Sequence, residues 1–106
     1  MAERRDPLAE CTGFDWDEDN VQKNWERHQV TPAEAEDVFF SEPLVVRGDA
    51  RHSQREKRDF VLGQTGQGRY LFVAFAIRRN LIRVISVRDM NRTEREAYGK
   101  HEEADP

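Results

Sequence analysis

Cysteine is nearly absent from this chain of 106 residues: Cys11 stands alone, so no intrachain disulfide can form. A single thiol in a polar stretch fits a reducing compartment, and a cytoplasmic location is the expectation. No run approaches the roughly 18–20 apolar residues of a membrane span. The first ten residues carry charge and lack the apolar centre of a secretory signal, so no membrane association is expected. His28, His52, His101 and Cys11 show no zinc-ligand spacing, and neither a metal nor a cofactor is expected. The glycines of "GQTGQG" (63–68) lie between two strand-like segments rather than before a helix, which excludes a phosphate cradle. Repeats and low-complexity tracts are also missing. What is left is one domain with a modest core.

Charge is plentiful and unevenly placed. The net charge is −4, but residues 1–43 hold 12 acidic and 4 basic side chains, whereas residues 44–101 hold 6 acidic and 13 basic ones. Such a split points to a polyanion-binding face or an oppositely charged partner, against the plainer reading of a solvated surface.

Residues 1–13 have no periodicity and read as a flexible leader; 14–102 form the domain and 103–106 an acidic tail. "FDWDEDNVQKNWERHQ" (14–29) reads as a helix capped near Asp15 to Asp17, with Val21, Trp25 and His28 on one face and both tryptophans, Trp16 and Trp25, in the core. "VTPAEAEDVFFSEP" (30–43) is a second helix. Thr31, Pro32 and Glu34 give its start, Ala35, Val38 and Phe39 its inner stripe, and Pro43 its end. Strands follow at 44–47, 57–64, 69–77 and 81–88, joined by a polar loop (48–56), a turn at 65–68 and a tight turn at Arg79-Asn80. Asn91 and Glu94 cap a last helix, 92–102, which has few apolar residues beyond Ala97 and Tyr98. The fold class is α+β: two N-terminal helices, a four-stranded, mainly antiparallel sheet and a C-terminal helix.

Pairing arithmetic raises a question about Arg83, which interrupts the apolar run "LIRVISVR". A two-residue loop at 79–80 sets Ala76 against Arg83, and a four-residue loop at 65–68 sets Val61 against Phe72. One face then carries Phe60, Leu62, Leu71, Val73, Phe75, Ile77, Ile82 and Val84. The other carries Asp59, Tyr70, Phe72, Ala74, Ala76, Arg83, Ile85 and Val87. Arg83 either pairs with Asp59 or stands in a shallow groove over Ala74 and Ala76, offered to a phosphate with Tyr70 and Phe72 nearby for base stacking.

The segments "FDWDEDNVQKNWERHQVTPAEAEDVFFSEP", "RHSQREKRDFVLG" and "IRVISVRDMNRTEREAY" together resemble the BrnT toxins of bacterial type II toxin–antitoxin modules, over about residues 14–98. The pattern F-x-W-D, N-x-x-[KR]-H, H-S-x-x-E-x-R, I-R-x-I-S-x-R and R-x-E-R-x-x-Y carries the resemblance. Departures are Arg27 for a frequent lysine, Gln29 and Arg55 for glycines, Asp89 for a basic residue and Arg79-Asn80 for Gly-Asp.

The resemblance implies a RelE-like fold and a metal-independent RNA endonuclease that inhibits translation. It also implies a BrnA-like antitoxin partner, in a 2:2 complex that binds operator DNA through the antitoxin. Candidate catalytic residues are Arg83, Arg88 and Arg58 for transition-state charge, His52 and Glu56 for proton transfer, and Tyr98 for positioning. Arg27, His28, Tyr70 and Arg92 are candidate RNA contacts. Plainer readings stand beside these: His28 as a buried structural histidine, Glu56 and Arg58 as a local pair. The functional alternative is a degenerate toxin homologue that binds antitoxin and co-regulates transcription.

Overall fold

The computed structural model describes residues 6–48 and 57–104. The chain begins with a short strand, β1 (Gly13–Phe14), followed by helices α1 (Glu18–His28) and α2 (Pro32–Val38). Strands β2 (Val45–Gly48), β3 (Asp59–Gln64), β4 (Tyr70–Arg78) and β5 (Leu81–Asp89) and helix α3 (Arg92–Ala104) complete it. The sheet has five strands in the order β1-β5-β4-β3-β2. Four are antiparallel neighbours, and β1 runs parallel to β5, so the sheet is mixed. The expected four strands were those with apolar runs; two residues of parallel pairing, Gly13 with Leu81 and Phe14 with Ile82, leave no periodic trace.

The helix starts follow local chemistry. Asp17 caps α1 by accepting from the Asp19 N–H at 2.8 Å. Thr31 and Glu34 form the expected reciprocal box at α2, and Asn91 and Glu94 form one at α3. Helix α2 stops at Val38 rather than running to Pro43. Its inner residues Ala35 and Val38 are buried, and Phe39 stacks edge-on between Phe14 and Phe75, with ring centroids 5.4 and 5.3 Å away. Gly63 permits this close approach, because a Cβ there would lie 2.8 Å from Val38 Cγ1.

The hairpin at Arg79-Asn80 is the two-residue loop expected, with both residues at positive φ (51° and 63°) and Ala76 opposite Arg83. The preceding loop is one residue longer than expected. Thr65 accepts from the Gly68 N–H through its carbonyl and from the Arg69 N–H through its hydroxyl, so Arg69 belongs to the turn and Gln64 faces Tyr70. A one-residue slip turns a whole strand over. Val61 therefore faces Val73 and joins the core, while Phe60 and Leu62 lie on the other face.

A second irregularity lies in β5. Ala74 pairs with Ser86 but Phe75 pairs with Val84, so Ile85 is the extra residue of a β-bulge. Past it, Val87 returns to the helix-covered face, where it is buried with Leu71, Val73, Phe75, Ile82 and Val84. Helix α1 rests here, on the outer edge of β5 beyond β1, and turns two asparagines one turn apart toward the sheet. Asn20 Nδ2 donates to the Val84 carbonyl (3.4 Å), and Asn24 Oδ1 accepts from the Val87 N–H (3.1 Å). Asn24 is buried, whereas Trp25, expected in the core, is 53% exposed. The edge of β5 needs hydrogen-bonding groups more than bulk, and the asparagines take that side of the helix. Trp16 does pack on the core, and its Nε1 donates to Glu36.

Gln29 ends α1 at φ 51°, a left-handed position that favours glycine. Gln29→Gly should raise stability by up to about 1 kcal/mol, read as a higher urea midpoint with an unchanged slope. A lower midpoint would show that the Gln29 side chain contributes more than its backbone costs.

Candidate nucleic-acid interface

The bulge decides which side chains share a face. Arg83 and Arg88 are five residues apart and would point to opposite faces of a regular strand. With Ile85 bulged, both lie on the face away from α1 and α2, opposite Ala76 and Phe72 respectively. Those partners are four residues apart on β4, or about 13 Å. Between and beside the arginines lie Ser86, Ala74, Phe60 and Phe72. Phe60 and Phe72 stack, with centroids 5.0 Å apart, and the Arg88 guanidinium sits 4.1 Å above the Phe72 ring. Arg47, opposite Phe60 on β2, is exposed at the far side of this surface.

Each arginine has carboxylate partners. Arg83 Nη2 donates to Asp17 at 2.8 Å and Nη1 to Asp15 at 3.3 Å. Asp59, one of the two alternatives for Arg83, is on the opposite face because of the slip at 65–69. The expected groove is closed as well, since Ala74 and Ala76 are both buried. Arg88 makes a two-pronged pair with Glu94, at 2.8 and 2.9 Å. The pairs are shallow: the side chains of Arg83 and Arg88 keep 24% and 32% exposure. Each is therefore worth about 1 kcal/mol or less to stability, and both guanidiniums remain within reach of a ligand.

Helix α3 borders the surface and covers its other end. Tyr98 is fully buried, packs edge-on against Tyr70 at 5.8 Å and donates to the Pro43 carbonyl at 2.6 Å. Burial pushes its phenol above the usual value. Tyr98 thus anchors α3, and Tyr70 lies beneath the Arg95 guanidinium at 3.4 Å. Arg58 immediately precedes β3. Arg92 is on the outer side of α3, 3.4 Å from Glu96. His52 and Glu56 lie outside the described residues. Arg27 is exposed at the end of α1, and His28 is half-buried there, its charge bearing on Asp89. The fold thus brings Arg83 and Arg88 together with Phe60 and Phe72, and leaves Arg27 and His28 at the β5 edge, away from that surface. Among the described residues no three His, Cys, Asp or Glu side chains are placed to hold a metal.

Arg69 had drawn no attention in the sequence. It donates to the carbonyls of His28 (2.9 Å) and Gln29 (2.8 Å), pairs with Glu34 (3.1 Å) and bonds both oxygens of Asp89. One guanidinium thereby joins the end of α1, the start of α2 and the end of β5. The nearest signal is Asp89 itself, the acidic residue where a basic one was expected. Hydrogen bonds from Arg69 hold the Asp89 carboxyl below its ordinary value. The Thr31 N–H, and then Arg69, do the same for Glu34. At Glu94 burial acts upward, but hydrogen bonds from Arg88 and Asn91 outweigh it and leave the carboxyl lowered.

A family model described as the ribonuclease toxin, BrnT, of type II toxin–antitoxin systems matches residues 16–94. No curated protein matches the chain. Among the described residues no helix is long and apolar enough to cross a membrane.

Removing Asn24 should be expensive, because Asn24→Ala leaves the buried Val87 N–H without its acceptor. A loss of about 1–3 kcal/mol is expected in chemical denaturation, with a larger fractional loss of any activity that needs Arg83 and Arg88 on one face. A pH effect also follows. Glu34, Asp89 and Glu94 titrate lower in the folded chain than in the unfolded one. Their contribution is complete above about pH 4.5 and is lost as pH falls through the folded values. Denaturation between pH 3 and 7 should show this fall, and Glu94→Gln should flatten part of it. An identical pH slope in that variant would remove Glu94 from the account.

Proposed function

Because the chain belongs to the BrnT family of ribonuclease toxins of type II toxin–antitoxin systems, we propose that it cuts RNA without a metal ion on the sheet face bearing Arg83 and Arg88. The observation behind this reading is the bulge at Ile85, which gathers two shallow-paired arginines and a stacked aromatic pair on one surface. RNA strands need cations for the backbone and flat apolar surfaces for unstacked bases.

RNA carries its own nucleophile. The 2′-oxygen attacks the adjacent phosphorus as its proton passes to a base. The bond to the 5′-oxygen breaks as that oxygen takes up a proton, leaving a 2′,3′-cyclic phosphate and a 5′-hydroxyl. Arg83 and Arg88 exchange their carboxylates for phosphate oxygens and stabilise the pentavalent transition state. His52 and Glu56, on the segment entering β3, are the proposed proton-transfer pair. Arg58, just before β3, adds charge, and Arg92 extends the contact with the strand. Loss of intact RNA halts translation. A BrnA-like antitoxin is the proposed partner, in a 2:2 complex, and the arrangement of helices on a small sheet suits a RelE-like architecture.

A second reading has one observation in its favour. Arg83 and Arg88 are both already paired, as in a homologue that only binds its antitoxin and co-regulates transcription.

Purified chain should cut RNA in the presence of EDTA. Arg83→Ala and Arg88→Ala should each reduce cleavage by roughly 10²–10³-fold with melting temperatures near that of the wild type. Arg83→Lys should recover only part of the loss, because an ammonium cannot make the two-pronged contact. Folded wild-type chain that leaves RNA intact, with normal growth on expression, would establish the second reading.

A further inference from the structure

Asp59, the first residue of β3, is 5% exposed on the helix-covered face, between Gly48 of β2 and Phe75 of β4. Among the described residues its carboxylate accepts no hydrogen bond and forms no ion pair, and its oxygens keep contact with solvent. It lines two adjoining clefts of about 280 and 510 Å³, formed where residues 6–11 cross the sheet. Pro7, Val46 and Ile77 give the clefts apolar walls. Asp6 and Glu10 add negative charge, and among the described residues Lys57 is the one cation common to both.

A carboxylate that gives up most of its water and gains no protein partner is unfavourable, and a cation in the cleft would supply the missing partner. Among the described residues no three of the lining's carboxylates and thiol are placed to hold a metal. The lining offers a buried carboxylate at the end of apolar walls, a shape that suits an aliphatic stem with a charged head. We propose that the Asp59 cleft binds an organic cation, a primary ammonium or guanidinium group on an aliphatic stem. The cleft is on the face opposite Arg83 and Arg88, so a ligand there leaves both guanidiniums uncovered. The cation can belong to a free small molecule or to a lysine or arginine side chain of a partner protein.

Agmatine serves as the small-molecule probe and N-acetyl-Gly-Arg-Gly-amide as the side-chain probe, with thermal unfolding and calorimetry as readouts. A binding probe should raise the wild-type midpoint by roughly 5–10 °C at ten times its dissociation constant. Asp59→Asn should abolish that rise. Without ligand, this variant should melt at or above the wild-type temperature, because it removes a buried charge that has no partner to lose. Lys57→Gln should tighten binding several-fold by removing the competing cation. Binding of agmatine alone identifies a small-molecule site, and binding of the peptide alone identifies a docking pocket for a partner's side chain. Failure of both probes, or an equal rise in wild type and Asp59→Asn, overturns the proposal. An unliganded Asp59→Asn that melts well below wild type overturns it too, since the carboxylate would then already be paired.

Discussion

One hydrogen bond, from the Val87 N–H to the Asn24 side chain, ties the helix layer to the one irregularity that organises the opposite face. A bulge costs ladder pairing and leaves backbone groups to satisfy. On the outer edge of β5, which β1 pairs only at Leu81 and Ile82, Asn24 accepts from the Val87 N–H and Asn20 donates to the Val84 carbonyl. The helix also covers an edge that would otherwise offer itself to another strand. The consequence reaches through the sheet. With the bulge, Val84 and Val87 share the core, and Arg83 and Arg88 share the other face. A regular β5 would bury one arginine or expose one valine, and neither outcome is compatible with this core.

Electrostatics repeats a single device three times. Each helix begins with a carboxylate that serves its own N-terminus with one oxygen and an arginine with the other or with both. Asp17 caps α1 and holds Arg83. Glu34 closes the box of α2 and holds Arg69. Glu94 closes the box of α3 and holds Arg88. The helix start and the guanidinium favour the ionised form together, which is why a shallow site can keep Glu94 and Glu34 lowered. Part of the charge split between the halves of the chain is thereby consumed internally, across Asp15, Asp17 and Glu34 on one side and Arg83 and Arg69 on the other.

What was legible in the sequence was local. The boxes at Thr31 and Asn91 and the turn at Arg79-Asn80 depend on residues within a few positions of one another, and they stand where their motifs predict. The family resemblance extended this reading to the ribonuclease toxins. What was not legible depends on pairing at a distance. A hydroxyl of Thr65 adds Arg69 to a turn, and β3 turns over, carrying Asp59 to the other face. The bulge at Ile85 exists only in the register of β4 against β5, and the Asn24 contact with Val87 spans 63 positions (the buried Asn and exposed Trp25 invert the helix face that hydrophobicity favours). Two residues of parallel strand at Gly13 are below any periodic signal. On the candidate surface, Arg83 and Arg88 stand out in the sequence as candidates; their common face does not.

The paired state of the two arginines also bears on how such a face would engage a polyanion. A buried guanidinium without a partner would destabilise the free chain, and a deeply buried pair would resist exchange. Arg83 and Arg88 lie between these limits, with a quarter to a third of each side chain in water. Replacing a carboxylate by a phosphate keeps the guanidinium paired, so the exchange costs little on the arginine side. The cost falls on the helix starts, where Asp17 and Glu94 each retain a backbone N–H when the arginine leaves. Binding of a phosphate backbone on this face would then couple to the first turns of α1 and α3 rather than to the core.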